Sequence, residues 1–218
     1  MKRVTLFCGH YGSGKTNIAV SYALRLRAES KTVTVADLDI VNPYFRTKDS
    51  RADFEAAGIR LIASEYANSN VDIPALPSEL YRVTAEREAY AVLDVGGDDR
   101  GALALGRLTP ELLAENDYEM LMVINRYRPL TPDAASTVEV MREIEAACGI
   151  PFTGLVNNSN LGEETTAEDV LASTEYARAV SALSGLPVVM TAVKRELFPQ
   201  LEGKIPDLLP LTLQKKPI

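Results

Sequence analysis

The 218-residue sequence predicts a single α/β domain, a mainly parallel sheet flanked by helices. Three observations lead to that class. Short apolar, β-branched runs recur along the chain and alternate with helical stretches, as strands buried on both faces and joined by helical crossovers require. The octet Gly9-His10-Tyr11-Gly12-Ser13-Gly14-Lys15-Thr16 fits the phosphate-binding pattern G-x-x-x-x-G-K-[ST], and it stands between a strand run and a helix. Aspartates close two further strand runs, where ligands collect in open parallel sheets.

The elements follow in order. Val4 to Cys8 is the first strand, and the helix after the octet begins around Asn17-Ile18-Ala19-Val20. Between them, glycines let backbone N–H groups turn inward around a polyphosphate, and the helix N-terminus adds a favourable dipole. Gly9, Gly12, Ser13, Gly14, Lys15, Thr16 and Asn17 are therefore the candidate nucleotide-binding residues. Lys15 would meet the β and γ phosphates, and the Thr16 hydroxyl would ligate Mg²⁺.

Thr32 to Ala36 is the second strand, ending in Asp37-Leu38-Asp39. The two carboxylates, on alternate positions, would orient metal-bound water and the water that attacks the γ-phosphate; the plainer alternative is a turn or helix cap. Ile59 to Ala63 is the third strand, and an irregular section with Pro74 and Pro77 follows from Ser64 to Ser78. Ala91 to Val95 is the fourth strand. Its Asp94 is placed to hold Mg²⁺, and Gly96-Gly97 gives a loop able to approach the γ-phosphate and move when it leaves.

Met120 to Ile124 is the fifth strand, closed by Asn125 and Arg126, which either border the same pocket or cap the next loop. Thr131-Pro132 predicts a helix start, with Ala134, Val138, Met141, Ile144 and Cys148 along one face. Phe152 to Val156 leads into Asn157-Asn158-Ser159-Asn160, a run that could serve a turn. Thr165 and Glu168 have capping-box spacing, the helix they open should stop near Gly185, and Pro187 to Ala192 is the last strand run. The nucleotide-binding domain is expected over 1–204, with a C-terminal tail over 205–218.

Composition narrows the function classes. Apolar residues make up 46% of the chain, enough for a sizeable core, and the net charge of −7 argues against a nucleic-acid surface carried by the whole molecule. No apolar run is long enough for a membrane span, and prolines interrupt the C-terminal apolar stretch, so no membrane insertion is expected. Cys8 and Cys148 form no C-x-x-C pair and lie in apolar surroundings, which suits reduced core thiols in a cytoplasmic protein.

The motif order resembles the MinD/ParA/Mrp-type P-loop ATPases, the wider set that includes CobQ/CobB-like amide ligases and dethiobiotin synthetase. The resemblance runs from Val4 to about Leu201 and is modest outside the motifs. It implies the P-loop NTPase fold, ATP and Mg²⁺ as cofactors, and a nucleotide-dependent face-to-face homodimer. On its pattern Asp39 matches the aspartate that positions attacking water, so Lys15 and Asp39 are the catalytic candidates. Asp37 would support the metal site with Thr16, Asp94 would match the Walker B aspartate, and Asn157 would read the purine edge. The family's switch ATPases read K-G-G-x-G-K-[ST]; here His10 and Tyr11 stand at the signature lysine and the glycine after it. Arg46 and Arg100 are further candidates for charge near the γ-phosphate. The expected function is a slow Mg-dependent ATPase acting as a switch on a protein partner. The alternative is a small-molecule kinase or ATP-dependent ligase, its substrate pocket built from Asn42 to Arg46 and Ser64 to Ser78.

Overall fold

The structure is a computed structural model that describes residues 1–39, 47–63, 78–97 and 99–211, without the side chains of 48, 49, 99, 100, 102 and 103. Eight strands are found among the described residues: β1 Val4–Cys8, β2 Val33–Leu38, β3 Arg60–Ala63, β4 Tyr90–Val95, β5 Tyr118–Ile124, β6 Gly154–Asn157, β7 Val188–Lys194 and β8 Leu208–Leu211. They form one sheet in the order β3-β2-β4-β1-β5-β6-β7-β8, with every neighbouring pair parallel. The helices are α1 Lys15–Ala28, α2 Arg51–Ala57, α3 Arg82–Ala85, α4 Asp99–Gly106, α5 Thr109–Glu115, α6 Ala134–Cys148, α7 Ala167–Ser184 and α8 Phe198–Leu201.

Burial on both sides explains why the central strands read as continuous apolar runs. In β1, Val4, Leu6 and Cys8 face a core closed by Leu105, Leu108, Met141, Ile144 and Tyr176 from α4, α6 and α7 and the link between α4 and α5. Phe7 faces the other core, where Ile18, Ala19, Tyr22, Ala23 and Leu26 of α1 cover Val35, Val92, Leu121 and Val123. Phe7 and Tyr22 meet edge to face with ring centroids 5.3 Å apart, a favourable aromatic arrangement. β1 lies between β4 and β5, so the chain leaves it toward one edge of the sheet and later builds outward to the other. The crevice at this reversal lies beyond the carboxyl ends of the strands, where the octet sits.

Two predicted helix starts move. Thr131 does not cap α6, because its hydroxyl donates to the Asn125 carbonyl at 2.8 Å. Asp133 caps instead, accepting from the Ser136 N–H at 2.9 Å. Thr165 is likewise occupied in a turn, donating to the Gly162 carbonyl at 2.7 Å, and the capping box forms one residue later between Thr166 and Asp169. α7 ends at Gly185 in the left-handed conformation, where the sequence places its stop. Leu208–Leu211, expected in a tail, pairs with β7 as an edge strand, and its Leu209 and Leu211 join the core under α1.

Candidate functional site

β1 ends in the octet and α1 begins at Lys15, so strand and helix fix both ends of the loop. Gly14 caps the helix at φ 91°, a conformation that favours glycine, and a side chain there would overlap the Asn158 amide. Asn158 Nδ2 donates to the Ser13 carbonyl at 2.6 Å, while the Ser13 N–H donates to the His10 carbonyl at 3.1 Å. On the β4 side, Gly97 lies against the Gly9 carbonyl so closely that any side chain on Gly97 would overlap it. The loop is thus braced by the residues that follow β4 and β6. Asn17 follows Thr16 in the first turn of α1 and is partly buried.

Behind the loop is a buried charged cluster. Asp94 is fully buried at the end of β4. Its Oδ2 accepts from the Thr16 hydroxyl at 2.7 Å and from the Thr47 hydroxyl at 2.8 Å. Burial pushes the Asp94 carboxyl above its ordinary value, and the Asp39 charge adds to this; Lys15 and the two hydroxyls oppose it without cancelling it. Lys15 Nζ lies 3.7 Å from Asp39 Oδ2, with both side chains buried. Asp37 is the register partner of Asp94 across β2 and β4, and its Oδ1 accepts from the Asp39 N–H at 3.1 Å. In these contacts Asp37 holds Asp39 in place.

The residues fit Mg²⁺. Asp94 Oδ1 is buried without a hydrogen-bond partner, beside the Thr16 hydroxyl that binds Oδ2. Among the described residues no three His, Cys, Asp or Glu side chains gather into a metal cage. Mg²⁺ needs none, because it keeps several waters and takes one or two protein oxygens together with phosphate oxygens.

Asn157 is buried with its amide turned inward: Nδ2 donates to the Ser173 hydroxyl at 2.8 Å and Oδ1 accepts from the Ser159 N–H at 3.2 Å. Its neighbour Asn158 touches the loop. Asn125 Oδ1 accepts from the Tyr127 and Asn160 N–H groups at 3.0 and 3.4 Å, which joins the segments after β5 and β6. Arg126 lies over the Tyr127 ring. The His10 Nδ1 lies 3.0 Å from the Tyr11 carbonyl, so that nitrogen carries the hydrogen and donates. Tyr11 itself is 59% exposed. Arg46, Asn42 to Arg46 as a pocket and residues 64–77 lie outside the described residues, as does the side chain of Arg100.

The structure therefore brings together Gly9, Gly12, Ser13, Gly14, Lys15, Thr16, Asp37, Asp39 and Asp94. Thr47, Asn158 and Arg128 join them without having been singled out in the sequence. Asn158 had a signal in the asparagine pair ending β6, whereas Thr47 and Arg128 had no motif to mark them. Five buried side-chain atoms among the described residues have no hydrogen-bond partner: Ser13 Oγ, Arg25 Nε, Asp94 Oδ1, Asn125 Nδ2 and Arg128 Nε. All but Arg25 belong to the octet or to segments at the carboxyl ends of β4 and β5. Buried polar groups are ordinarily satisfied, so their concentration at one edge marks a place built for a polar ligand.

No protein-family model and no curated protein matches this sequence. Solved structures do. The cell division protein FtsY from Thermotoga maritima is 18% identical, with a TM-score of 0.60 over 88% of this chain and 62% of that one. The signal recognition particle receptor FtsY from Elizabethkingia anophelis, in complex with GDP, is 15% identical, with a TM-score of 0.51 over 88% of this chain and 58% of that one. The signal recognition particle 54 kDa protein from Aeropyrum pernix K1, also in complex with GDP, is 16% identical, with a TM-score of 0.52 over 86% of this chain and 40% of that one. The chain spans roughly three fifths or less of the length of these proteins. The likeness shows the fold, an α/β domain of the P-loop NTPase kind. These neighbours are FtsY and signal recognition particle proteins, not the MinD/ParA proteins that the motif order resembles.

Proposed function

We propose that the chain binds a nucleoside triphosphate with Mg²⁺ on its phosphate loop and hydrolyses it slowly, as a switch acting on a protein partner. The observation that carries this reading is Asp94: a fully buried carboxylate, bonded to the loop threonine through one oxygen and unpartnered at the other. Such an oxygen costs stability unless something occupies it. Thr16 and Asp94 would hold the ion, which would neutralise charge on the triphosphate.

Each remaining group has a task in that setting. Backbone amides of the octet hold phosphate oxygens, and Lys15 moves from Asp39 to the phosphates. Asp39, freed from Lys15, orients the attacking water. The Gly96-Gly97 segment, pressed against Gly9, is placed to follow the state of the terminal phosphate. Adenine is the base expected from the motif order. Guanine is its competitor, because two of the structural neighbours are complexes with GDP. A homodimer formed in the triphosphate state is the first partner to test.

The test is titration with fluorescent ATP and GTP analogues with and without Mg²⁺, on the natural protein and on Lys15→Ala. Saturable, Mg-dependent binding of one of them should be weakened roughly 30-fold or more by Lys15→Ala, the cost of removing one member of a buried charge pair. No binding of either nucleotide, or equal binding by the variant, would defeat the proposal.

A further inference from the structure

The loop as built holds little free positive charge. Lys15 is shared with Asp39 at 3.7 Å, and the His10 imidazole spends its Nδ1 hydrogen on the neighbouring Tyr11 carbonyl at 3.0 Å. Yet a further cation lies alongside. Arg128 sits in the turn after β5, its N–H donating to the Asn125 carbonyl at 3.2 Å and its carbonyl accepting from the Thr131 N–H at 3.1 Å. Thr131 returns to the Asn125 carbonyl through its hydroxyl at 2.8 Å, so the turn is closed at both ends.

The side chain runs along the loop. A methyl group placed on Gly12 would lie 3.7 Å from Arg128 Nε and 3.8 Å from its Cδ, ordinary contact distances that put the arginine stem directly alongside the loop. Arg128 Nε is buried and unpartnered, as is Nδ2 of Asn125 at the base of the same turn. No ion pair to Arg128 is found among the described residues, in contrast to Lys15. A guanidinium N–H buried without an acceptor is costly, and the acceptor that suits it best is an anion.

We propose that Arg128 supplies in cis the cation that contacts the terminal phosphate of the bound nucleotide, taking the part that His10 cannot. Asn125 is its support, because its carbonyl fixes the turn from which the side chain runs past Gly12. This rests on the nucleotide reading of the same loop and adds to it the residue that distinguishes a triphosphate from a diphosphate. It also explains why an arginine suits the place. Its planar fork can hold one bond to the loop side and another to a phosphate oxygen, which a lysine cannot do.

The experiment measures equilibrium binding of the β,γ-imido triphosphates and the diphosphates of adenosine and guanosine. The full chain is used in its natural form and as Arg128→Ala and Arg128→Lys, with Lys15→Ala alongside. Arg128→Ala should weaken triphosphate-analogue binding about 10- to 100-fold while leaving diphosphate binding within about threefold. Arg128→Lys should recover only part of the loss. Retained diphosphate binding shows that the variant is folded. Equal losses for both ligands, or no loss for either, would overturn the role given to Arg128. If the natural protein binds nucleotide through Lys15 and Arg128→Ala behaves like it, only this inference falls. If the natural protein binds no nucleotide, both readings fall.

Discussion

Asp94 sets the energetics of the site at the scale of single residues. Its carboxyl is pushed up chiefly by burial, with Asp39 adding to the effect. A group whose value is raised in the folded state favours folding below the ordinary carboxylate range and loses that contribution as pH rises through the raised value. Once pH exceeds that raised value, the ligand-free protein carries Asp94 as a buried charge at a cost. Asp94→Asn keeps an oxygen for the Thr16 and Thr47 hydroxyls while removing that charge. The variant should melt a few degrees higher without ligand, and its advantage should shrink as pH falls toward the carboxylate range. If the proposed function holds, it should also lose the further stabilisation that Mg²⁺ and nucleotide would give the natural protein. Thermal melts across pH, with and without Mg-nucleotide, check both; a variant less stable than the natural protein above that raised value would contradict the argument. Lys15, Thr16 and Asp94 were legible in the sequence because a short motif or a strand end fixes their surroundings. Thr47, Asn158 and Arg128 reach the loop from distant segments, and no local pattern records a tertiary approach.

At the scale of elements, hydroxyl competition decides where helices begin. Thr131 and Thr165 have the residue type and spacing of caps, but each is drawn to a nearby carbonyl, at Asn125 and Gly162 respectively. The caps pass to Asp133 and Thr166, the latter with the same three-residue spacing to an acidic residue that Thr165 has. Thr166 accepts from the Asp169 N–H at 3.2 Å, and the Asp169 carboxylate accepts in return from the Thr166 hydroxyl and N–H. Thr166→Ala should cost about 1 kcal/mol and lower the melting temperature by about 2–4 °C. The bonds from Thr166 hold the Asp169 carboxyl below its ordinary value. Its contribution is thus present above the ordinary carboxylate range and lost as pH falls through the lowered value. The gap between natural protein and Asp169→Asn should narrow in acid, and melts at a series of pH values would show it. A gap constant with pH would mean that the carboxylate charge plays no part in the cap.

Over the whole molecule, the sheet was readable from its centre out to the β3 edge, and the β8 edge was not. β1, β4 and β5 are buried on both faces and announce themselves as apolar runs. β8 contains Pro210, which argues against a central strand, and it is tolerated because, among the described residues, β8 pairs with β7 alone. The same layout shapes the face that a second copy would meet. β1, β5 and β6 are adjacent, so the segments that follow them lie side by side at one edge of the sheet. Those segments carry Tyr11, Leu130 and Leu161, which are 59%, 52% and 45% exposed. Large apolar side chains held out beside a nucleotide site suit a surface covered only when the nucleotide is in place. If Asp39 orients the attacking water, Asp39→Ala should trap the triphosphate state. Light scattering on a sizing column should then give twice the monomer mass with Mg-triphosphate and the monomer mass with Mg-diphosphate. Adding Leu161→Ser to Asp39→Ala should return the triphosphate form to monomer without changing nucleotide affinity, because Leu161 is exposed and lies outside the octet. One mass in both nucleotide states would remove the homodimer and leave a different protein as the partner of this face.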